Sequence, residues 1–412
     1  MLRLVLVSCW VLGMAAAQAR VWVVDRAGGP GEDFTEIQPA LDAASAGDRV
    51  VVRAGSGYAG FTLSKGLDLD CAAGTVVSNF AVRDVPAGQS ARVAGVRADT
   101  FSATLLAAVL VDQCAGPVLL ASVQAAVATG VAGTVSNSGA VLLLDCAFSG
   151  GGPTYPVGPG SSGLLVLGSG VTLQRCLVTG GAGSAAVPYY SGGPGGAGLS
   201  VLEAAVLIAQ GQFTGGSGGA ARDLGTFCLG AGLGGDAVAG SGTLLCLGSA
   251  RLHGGAGGAA NGVCPAGARG QAVLGSGATP ARVTADCQVQ GGLVNAVTIP
   301  RLPWVASPGS ATLGTVTMLL FQGSADTVLL LCLGTGHGRL DLPGIDGPLL
   351  LDFATVVPLP LRSIPIGDVL ALALPVPLDA GLRDQFVFLQ ALAFAPGAPL
   401  PSLTNLGDLR LR

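Results

Sequence analysis

Apolar and polar positions alternate in five registered copies through the middle of the chain: VLLLDCAFSGGG from Val141, VTLQRCLVTGG from Val171, VLIAQGQFTGG from Val206, LLCLGSARLHGG from Leu244 and VTADCQVQGG from Val283. The copies recur every 30 to 39 residues. One column holds Phe148, Val178, Phe213, Leu252 and Val289, and two residues earlier stand the small Cys146, Cys176, Gly211, Ala250 and Cys287. Period-2 alternation puts both columns on one buried face of a strand. The columns between them are mostly polar: Asp145, Arg175, Gln210, Ser249 and Asp286, then Ser149, Thr179, Thr214, His253 and Gln290. A short strand that recurs in this way cannot bury its apolar face alone, and must stack on its own copies.

A second phrase keeps step with the first: VSNSG from Val135, VLGSG from Val166, VLEAA from Val201, VAGSG from Val238 and VLGSG from Val273. Each turn therefore carries at least two strands joined by a tight corner where a positive φ is tolerated. Stacking coil on coil at roughly 4.8 Å predicts parallel sheets around a narrow core. The intervals suit coils of about 20 residues plus an inserted loop, which favours a right-handed parallel β-helix. Glycine-rich insertions follow the Gly-Gly ends, as in GGPTYPVGPGSSG from Gly151 and GGSGGAARDLGTFCLGAGLGG from Gly215. They are expected to form a collar of loops over one sheet, either mobile or tied together.

The flanks differ from this pattern. After Val21, Thr35 and Gln38 spell a capping box, and Ile37, Ala40, Leu41 and Ala44 make one apolar helical stripe. A short helix laid over an open solenoid end is expected there, with a strand at Arg49–Arg53 opening the first coil. Pro300, Pro303 and Pro308 mark a break, after which longer apolar strands separated by proline and glycine turns predict a small antiparallel β-sandwich that closes the far end. The expected organisation is a signal peptide over 1–19, the β-helix over 20–304 and the sandwich over 305–412.

Composition narrows the function classes. Glycine accounts for 68 of 412 residues, charged residues for 11 %, and Lys65 is the one lysine. Mean hydropathy is +0.64, yet no apolar run reaches the ~18 residues of a membrane span. Aromatic residues at 5 % argue against an outer-membrane barrel with its girdles. Arg3, the apolar Leu4–Met14 and Ala17-Gln18-Ala19 read as a secretion signal, which implies an extracellular or cell-surface protein, with the periplasm as the second compartment the signal allows. A lipoprotein box at Leu6–Cys9 sits too early in the apolar run. The formal charge is −4, and cleavage after Ala19 removes one arginine and no acid. Such a chain lacks the basic surface that nucleic acid requires.

The cysteines of the strand phrases read as small buried residues rather than a metal ladder, since no histidine or acid shares their face. Cys228 and Cys264 lie in long loops of neighbouring coils, where a disulfide would pin both insertions, as an oxidising compartment permits. No catalytic set emerges. Asp145 and Arg175 occupy adjacent coils and read as an exposed ion pair, whereas Asp286 is four coils away, roughly 19 Å at strand spacing. Paired carboxylates for glycoside hydrolysis need about 5–9.5 Å. The loops offer Arg222, Asp223, Asp236 and Arg269 as charges able to converge over the sheet, and Tyr155, Tyr189 and Tyr190 as stacking faces for sugar rings. His253 reads as solvent-facing and His337 as part of a turn, and neither suggests a metal or cofactor site. The GxGxxG at Gly158–Gly163 precedes a strand phrase rather than a helix, so it is no dinucleotide site.

The segment DFTEIQPALDAA, with GDRVVV and GYAGFTL after it, resembles the N-terminus of secreted pectin-lyase-like right-handed β-helix proteins. The final LRDQFVFLQALAFAPGAPLPSLTNLGDLRL from Leu382 is similar to a terminal β module of unassigned role found on many secreted bacterial proteins. The resemblance implies a fold that hosts lyases, polygalacturonases, esterases and non-catalytic adhesins, and does not choose among them. The expected function is that of a secreted non-catalytic scaffold presenting glycine-rich loops to surface, matrix or carbohydrate. An extracellular polysaccharide lyase or glycoside hydrolase is the alternative.

Overall fold

A computed structural model of the protein describes residues 19–99, 107–153, 157–343, 345–365, 369–379, 382–383, 385–396, 398 and 400–412. The expected signal segment and Tyr155 lie outside the described residues, apart from Ala19. Strands dominate, and 24 of them join into one parallel sheet system through residue Ile299. Their pairing resolves into three ladders. One complete coil shows the plan: Gly133–Ser136 in one ladder, Val141–Leu144 in the next and Ala147–Ser149 in the third. Each pairs in register with its counterpart one coil on, at Leu164–Leu167, Gly170–Gln174 and Leu177–Thr179. This pattern is that of a parallel β solenoid.

The inner file predicted from sequence forms. Phe148 pairs with Val178, Val178 with Phe213, Phe213 with Leu252 and Leu252 with Val289. The first four are buried, but Val289 is 39 % exposed because no further coil of this ladder follows it. The repeated phrase is not one strand, however. It bends at Asp145, Arg175, Gln210 and Ser249, with φ of 53°, 52°, 55° and 62°. The column assigned to the outward face of a continuous strand is therefore a row of left-handed corner residues, which gives each coil a third strand.

At the N-terminal end the ladder begins earlier than expected, because Val21–Val24 already pairs in parallel with Arg49–Val52. Helix α1 (Ile37–Ala43) buries Ile37, Ala40 and Leu41 in the solenoid core. Its N-cap is Glu36 with no side-chain bond, so the Thr35–Gln38 capping box does not form. Gln38 instead reaches Asp42 and the backbone of Thr62.

From Trp304 onward the strands form mostly antiparallel sheets. Trp304–Ala306, Val316–Gln322 and Val369–Pro375 make one, and Val328–Gly334, Phe386–Phe394 and Gly407–Leu411 carry another. Leu319, Phe321, Leu331, Leu389, Ala391 and Leu409 fill a common core between them. His337 opens the strand His337–Asp341 and is buried, rather than lying in a turn.

This region does not follow the solenoid end to end, as the sequence led us to expect. It lies along the side of the Val141–Leu144 ladder. Residues of that ladder alternate between two cores: Val141 and Leu143 point into the solenoid, while Leu142 and Leu144 meet Trp304, Leu350, Phe388, Leu403 and Leu406. Strands covered on both faces read as continuous apolar runs, which explains VLLL, VLIA and LLCL. Ion pairs fix the register. Arg175 donates to Asp145 at 2.7 Å and to Asp408 of the last domain at 2.9 Å, and Arg282 pairs with Asp346 at 2.6 Å. The Asp145–Arg175 pair is thus a docking contact rather than an isolated surface pair, since Asp408 is 2 % exposed.

Candidate functional site

The glycine-rich insertions leave the Ala147–Ser149 ladder and return to the Gly133–Ser136 ladder one coil later. Each later insertion runs outward (180–186, 215–221, 254–260), turns, and runs back (191–198, 230–237, 265–272). These runs are neither mobile loops nor strands. Outward runs bond to outward runs at every third residue: Gly183 N donates to Ser217 O and Ala186 N to Ala220 O, then Gly218 N to Ala256 O and Ala221 N to Ala259 O, all at 2.8–2.9 Å. Returning runs repeat the pattern from Gly192, Gly195 and Gly198 to Gly230, Leu233 and Asp236. A second set zigzags between the two layers, from Gly216 to Gly196, Gly235 to Gly216 and Gly255 to Gly235, at 2.7–2.8 Å. A three-residue period with bonds directed only to neighbours is the geometry of polyproline-II chains packed side by side.

This packing is why the sequence reads Gly-Gly-X. A Cβ on Gly216 would stand 1.9 Å from the Gly181 carbonyl oxygen, and one on Gly219 would stand 1.6 Å from that of Ser184. Most positions that face a neighbouring backbone are glycine, because a Cβ there would overlap a carbonyl, as at the axial glycine of collagen. The X position faces outward and carries Ser217, Ala256, Pro194 or Leu233, all of them exposed.

At the far end the turns form a tip. Val187 and Tyr190 close the first by mutual backbone bonds, Arg222–Asp223 pairs with Cys228–Leu229 in the second, and Asn261 pairs with Cys264 in the third. The Cys228–Cys264 disulfide joins the last two, with Cα atoms 5.3 Å apart. Asp223 tightens the same junction by accepting from Gly225 N at 2.8 Å and Val263 N at 3.4 Å. Tied together in this way, the tip still exposes large apolar side chains among its polar ones. Tyr189 is 87 % exposed, Val263 82 %, Tyr190 60 % and Phe227 53 %. Tyr189 also holds a φ of 76°, the left-handed position of the turn that Val187 and Tyr190 close.

The structure therefore brings Tyr189, Tyr190, Arg222 and Asp223 to the tip region. Asp236 and Arg269 lie at the roots of their runs, where Asp236 accepts from Gln271 N at 2.7 Å and Arg269 donates to Gly254 O at 2.9 Å. Burial pushes the Asp236 carboxyl upward. Seven residues of such a run separate Asp236 from Leu229, about 20 Å at polyproline-II rise. The four charges expected to converge over the sheet do not converge. Phe227 and Val263 were not anticipated at the tip, although each adjoins a half-cystine.

Elsewhere, reactive groups are dispersed or buried. Among the described residues no three of His, Cys, Asp and Glu are placed to hold a metal. Desolvation raises the thiols of Cys114, Cys146 and Cys246, which leaves them poor nucleophiles. His253 is half-buried and pairs with Thr214 and Gln290 in its ladder. No described helix is long and apolar enough to cross a membrane. Comparison with known proteins adds no identity: no family model, curated protein or solved structure matches the chain.

Proposed function

We propose that the protein is a secreted, non-catalytic right-handed β-helix of pectin-lyase-like type, with α1 capping its N-terminal end and a β-sandwich as its last domain. On this reading its glycine array is a stiff bracket, and its tip binds extracellular polysaccharide or glycan-bearing cell-surface components. The observation that carries the reading is the tip, where exposed Tyr189 and Tyr190 stand on a backbone-bonded turn and exposed Phe227 adjoins the disulfide that joins the next two turns. Rigid aromatic rings lose little conformational entropy on binding and present flat apolar faces to sugar rings.

Binding of the mature full chain to immobilised neutral and acidic polysaccharides tests this. Wild type should bind at least one of them, and Tyr189→Ala with Tyr190→Ala and Phe227→Ala should weaken that binding about tenfold or more, on the scale of a lost aromatic anchor. Binding indifferent to the triple change would sink the tip assignment. Depolymerisation of any of these polymers by the purified protein would establish the lyase or hydrolase alternative, which the separation of Arg222 from Asp236 and Arg269 disfavours.

A further inference from the structure

The last domain docks along the side of the solenoid, so the end of the stack where the three ladders stop is left bare. Gln288–Gln290, Leu293–Val294 and Ala296–Ile299 are the final strands of those ladders. Each pairs with the coil before it, and among the described residues no strand lies against its other edge. Alternate backbone N–H and C=O groups along these edges therefore face outward without a partner strand. The inner files stop here too. Val289, Leu293 and Ala296 top files that are closed one coil earlier by the buried Leu252, Val273 and Ala281. Val294 and Val297 are 42 % and 43 % exposed beside them. From Gln288 to Ile299 there is no charged residue and no proline, which are the usual means of keeping a strand edge from pairing.

The opposite end is closed. Asp33 N and Phe34 N donate to Val23 O at 2.8 and 3.2 Å, Asp25 N donates to Phe34 O at 2.9 Å, and α1 lies over the core. Head-to-tail stacking, which would build a filament, is blocked at that end. What fits the bare end is set by its shape. Its three edges turn round three sides of one coil as a single ramp, so an added peptide strand would cover one of them only. A two-fold axis across the end turns the ramp onto another of the same hand, with strands antiparallel across the junction. The same end of a second copy therefore meets all three edges, and neutral side chains meet neutral ones. The wall from Gln288 to Ile299 is roughly 40 Å long and about 10 Å thick, giving about 400 Å² on each partner. A total of about 800 Å² falls short of the roughly 1,200–2,000 Å² of stable complexes, so the contact is a weak and reversible one.

We infer that the protein forms a reversible two-fold dimer through the bare solenoid end, a surface separate from the tip. Sedimentation of the mature full chain from about 1 to about 200 μM, with hydrogen exchange at the two extremes, tests the inference. Monomer should give way to dimer and no further, and the amides of Gln288–Ile299 should exchange more slowly at the higher concentration. Val294→Lys with Val297→Lys puts charges at exposed edge positions and should weaken the dimer about tenfold or more. Val316→Lys with Met318→Lys, at exposed apolar positions on the last domain, should leave it unchanged. A chain that stays monomeric throughout overturns the inference. So does growth beyond a dimer, or a dimer that ignores the Val294 and Val297 changes.

Discussion

The solenoid and the glycine array share the same coils and advance by the same step, yet they cohere by opposite means. In the solenoid, Phe148, Val178, Phe213 and Leu252 stack as buried side chains, and backbone pairing follows from their burial. In the array, backbone bonds carry most of the contacts, and chains approach closely enough at the glycines for a carbonyl to occupy the place of a Cβ. The first region loses stability when a side chain shrinks; the second loses it when one grows. Together they show how a chain with few charges orders long insertions without giving them a core of their own.

The sharpest way to break this comparison is to shrink the solenoid file. Phe213→Ala should cost about 3–5 kcal/mol in denaturant unfolding, the range for a fully buried aromatic. A smaller loss would mean that the file is not the main source of cohesion. Next, Cys228→Ser with Cys264→Ser should cost up to about 2–4 kcal/mol. Hydrogen exchange should place that loss in residues 215–237 and 254–272 and spare the ladders. The array itself is tested by Gly216→Ala, expected to cost about 1–3 kcal/mol through overpacking, against Ser217→Ala one residue on, expected within about 0.5 kcal/mol as for an ordinary surface change. Equal effects at the two positions would refute the three-residue packing.

An effect confined to acid pH should come from outside both regions. Burial depresses the His337 pKa from 6.5 to about 4. Between those values the unfolded chain binds a proton that the folded chain refuses, so stability should fall as pH drops from about 6.5 to about 4. No contribution from this group is expected to vary above that window. His337→Gln should flatten this part of the pH–stability curve by up to about 3 kcal/mol.

Sequence reading succeeded where a side chain reports its surroundings. Phe148 and its equivalents announced the buried file, and Cys228 and Cys264, set in neighbouring insertions, announced their disulfide. It failed where backbone conformation decides. Arg175 and Gln210 look like strand residues, and only a left-handed φ makes them corners. The form of the array was missed because glycine reads as looseness, although Gly-Gly-X was visible at Gly215–Ala220 and Gly254–Ala259. The side-on docking of the last domain left a signal in VLLL and LLCL, whose uninterrupted apolar runs mark strands covered on both faces. Asp408, far along the chain from Arg175, left none.

That docking changes how the molecule should come apart. A bare stack of coils can fray winding by winding, because each touches only its neighbours. Here Arg410 reaches Asp70, Asp408 holds Arg175 and Asp346 holds Arg282, so one rigid splint is fastened near both extremities and at the middle. Peeling any winding from the side under the splint requires lifting the whole splint. Unravelling from an end should therefore give way to a single concerted rupture, visible under force as one large step instead of a staircase.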